Sequence, residues 1–398
     1  MTPTSPDELL ALDTLLTDDE RDTAATVRSF LDDRVRPHIG RWYLDGTLPV
    51  RELALDLGGL GLLGMHHHGY GSAGTTATMY GVACRELEAV DAGIRSLVSV
   101  QGSLAMTALH RFASDDQKRE WLPRMASGEA VGCFALTEPD AGSDPASMRT
   151  RARRDGGGER ADWVLDGTKM WITNAPVADV AVVWARADDP SGTPGVRGFV
   201  VPMGAAGVTT TEVPGKLSLR ASRTGEIAFD GVRLPHDAVL PEGHGLRGPL
   251  SCLTEARFGI VWGAVGSIRE TLTSTLRYAD TRVQFGRPIA GFQLTQAKFA
   301  DAAAAYATAT LLAVHLGRLK DAGAITPAQV SIGKLSNVRS ALAVARSMRT
   351  VLGGAGITTD HPPMRHAANL ETVLTYEGTQ EVHQLAVGQA LTGISAFS

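Results

Sequence analysis

One carboxylate stands at a joint near the end of the chain. The stretch LTYEGTQEVHQLAVGQALTG, Leu374 to Gly393, puts Glu377 between a largely apolar lead-in, NLETVL, and the start of a helical pattern. Two chemistries suit a Glu there. An acidic group ahead of a helix interacts favourably with the helix dipole. A carboxylate in a water-poor pocket has its charged form destabilised, and its pKa rises toward the range useful for proton transfer. Three further segments carry groups able to hold a flat, polar ligand. CFALTEPDAGSDP, Cys133 to Pro145, offers the hydroxyls of Thr137 and Ser143 and the backbone around Ala141 and Gly142, which can bond a heterocycle or pyrophosphate or can cap a turn. KMWITNAP, Lys169 to Pro176, spaces Trp171 and Thr173 so that both face one side of a strand, where stacking and hydrogen bonding act on one ring system. A core tryptophan would read the same way. RVQFGRPIAGFQLTQ, Arg282 to Gln296, offers Arg282 to a phosphate, Phe285 to an adenine face and Gln293 to backbone or cofactor. A basic inter-helix loop without any ligand has the same composition.

Three regions must position these groups. From about Thr17 to Glu129 the pattern is helical: ERDTAATVRSFLDDRVRPHI sets Val27, Phe30, Leu31 and Val35 on one stripe, and ATMYGVACRELEAV does the same with Met79, Val82, Leu87 and Val90. From Gly132 to about Leu240 short β-branched runs alternate with turn residues. Asp-Gly turns are expected at Asp166-Gly167 and Asp230-Gly231, and together these features indicate a β-sheet. From Gly245 long alanine-rich helical patterns return, one opening on Pro327 and closing at Gly353-Gly354, as suits a four-helix bundle with subunit contacts. The expected boundaries are 1–131, 132–243 and 244–398. The one low-complexity stretch is RRDGGGERAD.

The 398 residues carry a net charge of -5 and are 43% hydrophobic, which gives no reason to expect nucleic acid or anionic membrane as a partner. The acidic N-terminus has neither signal-peptide nor transit-peptide order, and no uncharged apolar run approaches membrane length. Cys84, Cys133 and Cys252 are odd in number and lack CxxC spacing, so reduced thiols in a cytoplasmic protein are expected, with no metal site. GGLGLLG holds G-x-G-x-x-G at Gly59, Gly61 and Gly64, but its flank VRELALDLG has helical spacing; a loop after a helix is expected instead of a dinucleotide turn. The adjacent His66, His67 and His68 cannot all face one metal and read as a solvated loop.

TEPDAGSD, WITN, QFGRPI, LGGAG and YEGT, in this order on a helix–sheet–helix plan, resemble the acyl-CoA dehydrogenase family over about Thr17 to Phe397. The resemblance implies an α+β fold with an N-terminal helical domain, a central β domain and a C-terminal four-helix bundle, usually assembled as a homotetramer. It implies non-covalent FAD between the β domain and the bundle. Thr137 and Ser143 would contact the flavin and its pyrophosphate, with Ser143 also reaching substrate. Trp171 and Thr173 would flank the isoalloxazine ring. Arg282, Phe285, Gln293 and the stretch with Gly353 and Gly354 would reach the FAD of a neighbouring subunit, and Thr379 and Glu381 would lie near the cofactor. Glu377 would be the base that removes the α-proton of an acyl thioester while a hydride leaves the β-carbon. Its backbone N–H and a flavin ribityl hydroxyl would polarise the carbonyl. Some relatives carry the base on the helix that here reads CLTEARFG, but the matching position is Ala256, which cannot serve.

Within the family, RELEAVDAGIRSLVSVQGSLAM, GKLSLRAS, CLTEARFGIVWGAVG and ALTGISAF look most like glutaryl-CoA dehydrogenases. That likeness implies Arg95 paired with a second substrate carboxylate, with Glu88 and Ser99 at positions used by decarboxylating members, Tyr376 in the same pocket and Arg257 near the thioester end. An Arg95–Glu88 helix pair or a structural ion pair at Arg257 would use the same residues. Ile94 stands where that group has a tyrosine, MHHHGYG replaces a more typical loop, and Asp140 and Ala141 depart from the usual TEPNSGSD. The expected activity is FAD-dependent oxidative decarboxylation of glutaryl-CoA to crotonyl-CoA and CO2, with electrons passed to an electron-transferring flavoprotein. The alternatives are a dehydrogenase or oxidase for another dicarboxylic or carrier-protein-bound acyl thioester, and a non-catalytic acyl-thioester binder.

Overall fold

Helix α1, Asp18–Arg34, opens on a capping box in which Thr17 and Glu20 satisfy each other's backbone N–H. Of its expected stripe, Val27, Leu31 and, just past the end, Val35 are buried, and Phe30 is half-buried against the same core. The computed structural model describes residues 4–156, 161–188 and 194–396; the centre of the RRDGGGERAD stretch lies outside them. Helix α2, Val50–Gly59, leads into a turn in which Gly61 and Gly64 have φ of +71° and +66°. Among the described residues no strand precedes these glycines, so the fingerprint is a helix-exit loop, in line with its flanking pattern.

The loop that follows departs from expectation. His66 and His67 are not solvated: the His66 ring packs 4.6 Å from Tyr80 and 4.1 Å from His67, and His67 Nε2 lies 3.0 Å from the Gly102 carbonyl. Burial pushes His67 down to about 4 and holds His66 well below the usual histidine range, so both rings pack as neutral aromatics. Only His68 is exposed.

Helix α3, Ala77–Val90, and helix α4, Ala92–Ser99, are joined at Asp91, whose extended backbone breaks the helix and whose Oδ1 accepts from Gly93 N at 2.8 Å. A π-helical segment, Val100–Met106, follows. The amphipathic stripe expected of α3 understates its burial, because Arg85, Glu86 and Glu88 are as buried as Val82 and Leu87. Their charges pair inside the molecule, Glu86 with Arg85, Arg269 and Arg28.

The sheet comprises β1, Gly132–Ala135; β2, Arg151–Asp155; β3, Asp162–Thr173; β4, Val180–Asp188; β5, Pro194–Pro202; β6, Val208–Glu212; β7, Thr224–Leu234; and β8, Val239–His244. Its order is β8-β5-β4-β2-β3-β7-β6, with β1 running parallel to the first half of β4 and β2 to the second. The two Asp-Gly pairs are not turns. They face each other as bulges inside the long strands β3 and β7, where Leu165 pairs with Val232 and Gly167 with Phe229, and Asp166 Oδ1 accepts from Gly231 N at 2.7 Å. The φ > 0 that makes Asp-Gly a hairpin signal serves a bulge equally well.

Helices α5, Arg247–Thr281; α6, Gln293–Asp321; α7, Pro327–Val351; and α8, Pro362–Thr375, form the bundle, with α9, Gln380–Thr392, laid against α7. Helix α7 starts on Pro327 behind a Thr326–Gln329 capping box and ends before Gly353, whose φ is +59°. Helix α6 contains an 18-residue window of mean hydropathy 1.3, so the expectation that no run approaches membrane length was too strict; only 33% of that window is buried here. The N- and C-terminal helices share one core, in which α3 lies on α5. A glycine row permits this approach: a Cβ on Gly259, Gly263 or Gly266 would meet Tyr80 Oη at 2.9 Å, Glu88 Oε2 at 2.2 Å or the Arg85 carbonyl at 1.9 Å. The free cysteines Cys84, Cys133 and Cys252 are all buried. Gly266→Ala is therefore expected to lower stability by about 1–3 kcal/mol through backbone overpacking, read by chemical denaturation; an unchanged midpoint would show that α3 and α5 slide apart freely.

Candidate active site

The joint between α8 and α9, Tyr376–Thr379, reverses the chain through two residues of positive φ, Glu377 at +54° and Gly378 at +93°. A non-glycine residue resists that conformation, and three contacts hold it. Lys334 Nζ donates to the Tyr376 carbonyl and, at 2.7 Å, to the Gly378 carbonyl. Arg257 Nε donates to the intervening Glu377 carbonyl at 2.6 Å. A side chain at position 378 would come 3.0 Å from His383 Nε2 and 3.1 Å from Arg257 Nη2, so this glycine is also required sterically.

Capping of α9 falls to Thr379, whose Oγ1 accepts from Val382 N at 3.3 Å. Glu381 supplies the exposed acidic group of the first turn, its carboxyl held below the usual range by its own backbone N–H and the Thr379 hydroxyl. Glu377 does neither, and its Oε2 is buried without a hydrogen-bond partner among the described residues. Burial raises the Glu377 pKa against the opposing pull of Arg95, Lys334 and Arg257. That combination is what a proton-accepting carboxylate requires.

Arg95 is fully buried on α4. Its Nε donates to Glu88 Oε2 at 2.7 Å, its Nη2 bonds the Tyr376 hydroxyl, and its Nη1 has no partner among the described residues. Burial works against the guanidinium, but Tyr376, Glu88 and Glu377 outweigh it and the cation persists. Ser99, one turn on, has a buried and unpartnered Oγ. Burial raises Glu88 despite its Arg95 contact, and Ser267 Oγ lies 3.4 Å from its other oxygen. Three cations, Arg95, Arg257 and Lys334, therefore face two carboxylates, Glu88 and Glu377. The surplus positive charge, the free Nη1 and the free Ser99 hydroxyl all suit an anionic ligand group.

Position 256 offers no second base. Ala256 is buried, and its neighbour Glu255 is tied to Arg111 and to Lys320, each at 2.5 Å.

Two of the other flagged segments, TEPDAGSD and KMWITN, meet at the C-terminal end of β3. The bulge between Lys169 and Ile172 gives Trp171 a φ of +62° and leaves its indole 57% exposed, while Ile172 is buried and Thr173 half-buried. Trp171 and Thr173 thus share the open side, though through a bulge and not a regular pleat. Thr137 is half-buried, its carbonyl accepting from Met170 N at 2.9 Å, and Ser143 is exposed. Asp140 pairs with Arg149 at 3.1 Å and Ala141 closes a tight backbone turn on Glu138, so both departures from the usual loop have local partners.

A buried pair missed in the sequence staples these segments together. Lys169 Nζ donates to the Leu136 carbonyl at 2.9 Å and to Glu138 Oε1 at 2.8 Å, while Glu138 accepts from the N–H groups of Arg149 and Thr150. Burial lowers Lys169 to about 8. It also opposes ionisation of Glu138, but the Arg149 N–H and Lys169 outweigh it and the carboxyl stays below its usual range. The only available signal was a charged residue in each motif.

Arg282, Phe285, Gln293, Gly353 and Gly354 are exposed, with Phe285 at 94% on a two-residue hairpin, and the fold does not bring them to Glu377 within this chain. A cavity of 580 Å³ lined by Arg36, Glu270, Arg277 and His361 also lies apart from Glu377, and we assign the site by its chemistry and not by cavity size.

Family models described as "Acyl-CoA dehydrogenase", N-terminal, middle and C-terminal domains, match residues 17–129, 133–232 and 243–392. Two crystal structures of glutaryl-CoA dehydrogenase from Mycobacterium smegmatis, one in complex with FADH2, are 60% and 56% identical, each covering all of both chains with a TM-score of 0.96. Human mitochondrial short-chain specific acyl-CoA dehydrogenase is 34% identical over 364 residues, 91% of this chain and 87% of that protein. The Glu138–Lys169 staple gives a structural test. Lys169→Met leaves a buried carboxylate uncompensated and is expected to cost about 3–5 kcal/mol in denaturant unfolding; a loss well under 1 kcal/mol would make the pair dispensable.

Proposed function

Because the chain belongs to the acyl-CoA dehydrogenase family, we propose that it converts glutaryl-CoA to crotonyl-CoA and CO2, with FAD as its cofactor and an electron-transferring flavoprotein as electron acceptor. The observation that carries this reading is the fully buried Arg95, with one nitrogen unpartnered, in electrostatic range of the equally unpartnered Glu377 carboxylate. A monocarboxylic acyl chain would leave that cation and the Ser99 hydroxyl unsatisfied in an apolar tail pocket.

The residues at the C-terminal end of β3 fit FAD. Trp171 presents a half-open indole on the same side as Thr173, and the loop that carries Thr137 and Ser143 is bonded to the strand beside it through the Thr137 carbonyl and Met170 N. These four would hold the cofactor, while the exposed Arg282, Phe285, Gln293, Gly353 and Gly354 would serve the FAD of a neighbouring subunit in a homotetramer. FAD, when bound, supplies the acceptor for the hydride leaving the β-carbon.

This chain's groups manage the protons and charges. Glu377 takes the α-proton, and its raised pKa makes it a competent base when ionised. Its backbone N–H has no intramolecular acceptor among the described residues and is available to the thioester oxygen as negative charge develops there. Arg95 and Ser99 hold the distal carboxylate, with Glu88 and Tyr376 fixing the guanidinium. Once the α,β double bond exists, breaking the bond from γ-carbon to carboxylate releases CO2 and leaves its electron pair in a dienolate conjugated with the thioester. Glu377 returns its proton to the γ-carbon. We also place the protein in the cytoplasm.

Anaerobic addition of glutaryl-CoA to the holoenzyme is expected to bleach the flavin and release CO2; bleaching with butyryl-CoA alone would overturn the substrate. Glu377→Gln is expected to keep FAD and ligand but slow flavin reduction about a thousandfold, and substantial residual turnover would mean another base. Arg95→Ala is expected to weaken glutaryl-CoA at least about tenfold more than butyryl-CoA. Equal losses in that one variant would make Arg95 structural.

A further inference from the structure

Helix α7 carries a buried polar row that the reaction scheme above does not use: Ser331, Lys334 and Asn337. Each member reaches a different element. Ser331 Oγ lies 3.0 Å from His383 Nδ1 on α9, and Asn337 Nδ2 donates to the carbonyls of Val261 on α5 and Ala309 on α6 at 3.1 and 3.0 Å. Lys334, between them, reaches the catalytic joint. Its backbone is brought close by Gly333, where a Cβ would stand 2.5 Å from Leu316 Cδ1 and 2.9 Å from Val261 Cγ2. A lysine that is 2% exposed, with no carboxylate within ion-pair distance among the described residues, is costly. Its hydrogen bonds go to the carbonyls on either side of Glu377, and its ammonium lies 5.7 Å from the Tyr376 ring centroid.

We propose that Lys334 is the positioning residue of the catalytic joint: its ammonium pins Glu377 in the left-handed conformation and, by its charge, keeps the neighbouring carboxylate ionised and ready to accept a proton. The proposal rests on Glu377 being the base in the reading above. The first half follows from geometry. Lys334 and Arg257 together bond three consecutive carbonyls, Tyr376 to Gly378, from two different helices, which fixes a turn that a glutamate would not otherwise hold. The second half follows from the groups facing Glu377. Arg95 on α4, Arg257 on α5 and Lys334 on α7 favour its charged form, with Lys334 itself lowered by burial to about 7 against the pull of Glu377, so that its charge is present on the acid side of that value; Glu88 on α3 is committed to Arg95; Tyr376 and Cys84 are neutral, their pKa values pushed up to about 12 by burial; and His383 on α9 is neutral, lowered by burial to about 3. Arg257 is spent on the Glu377 carbonyl and Arg95 on Glu88 and Tyr376. Lys334 and Arg257 both bond only backbone near the carboxylate, and Lys334 holds two of the three carbonyls, one on each side of Glu377.

The sign is definite. A carboxylate whose pKa is already raised by burial loses one opposing cation when Lys334 is neutralised, so a higher pH is needed to ionise it. The test is the pH dependence of flavin reduction by glutaryl-CoA in single turnover, using holoenzyme with Lys334→Met, Lys334→Gln and Lys334→Arg. The Met and Gln variants are expected to move the acid limb to higher pH by about one unit or more. Gln, which can still donate to a carbonyl, is expected to lose less of the plateau rate than Met, and Arg to keep the limb of the parent. A Gln or Met variant that keeps FAD and reacts with an unmoved acid limb would overturn the proposal and leave the functional reading intact. If Met fails to fold, the Gln limb decides. Parent holoenzyme that no acyl-CoA bleaches at any pH would overturn the functional reading, and this proposal with it.

Discussion

Everything at this site depends on keeping a carboxylate charged where burial works against its charge. Desolvation alone would protonate Glu377, and a protonated Glu is no base. The fold answers with cations from three helices, Arg95, Arg257 and Lys334, each of which must itself be buried and satisfied. Those requirements propagate outward. Arg95 needs Glu88, Glu88 needs α3 pressed against α5, and that approach needs the glycine row Gly259, Gly263 and Gly266. The core shared by the two ends of the chain is a consequence of where the charges must sit, as much as of apolar burial.

The joint shows the same economy. Two positive-φ residues in succession form a poor conformation for any sequence other than glycine. Here the strain is held by donors to three successive carbonyls, while the Glu377 N–H has no acceptor among the described residues. Shape and electrostatics thus come from the same two side chains. A loop held only by turn propensity would supply the shape without the charge.

What could be read from the sequence follows from the range over which each signal acts. Glu377, Trp171 and the hydroxyls of TEPDAGSD sit in contiguous motifs, so their segments were legible. Arg95 was legible only by resemblance, because its partner Tyr376 is far along the chain. Lys334 carried no signal: a lysine in an alanine-rich helix looks solvent-facing unless the fold is known to bury it. The same bias hid the full burial of α3, whose Arg85, Glu86 and Glu88 resemble an exposed face, and misplaced His66 and His67 on the surface. The Asp-Gly pairs were misread for a different reason. Local backbone preference at Gly167 and Gly231 fits a hairpin turn and a strand bulge alike, and only the pairing of β3 with β7 decides between them.

On the proposed reading, the division of Arg95's donors has a chemical consequence. Nε is committed to Glu88 and Nη2 to Tyr376, so a substrate carboxylate meets Nη1 and the Ser99 hydroxyl instead of a full bidentate fork. A tighter hold would favour the bound carboxylate more than the transition state for its loss, in which its negative charge is leaving toward the thioester; stabilising the ground state in this way raises the barrier to the step. A partly committed guanidinium can recognise the anion and still release it as CO2. The buried cation that remains is then balanced by Glu88, so product can be held without a new unpaired charge.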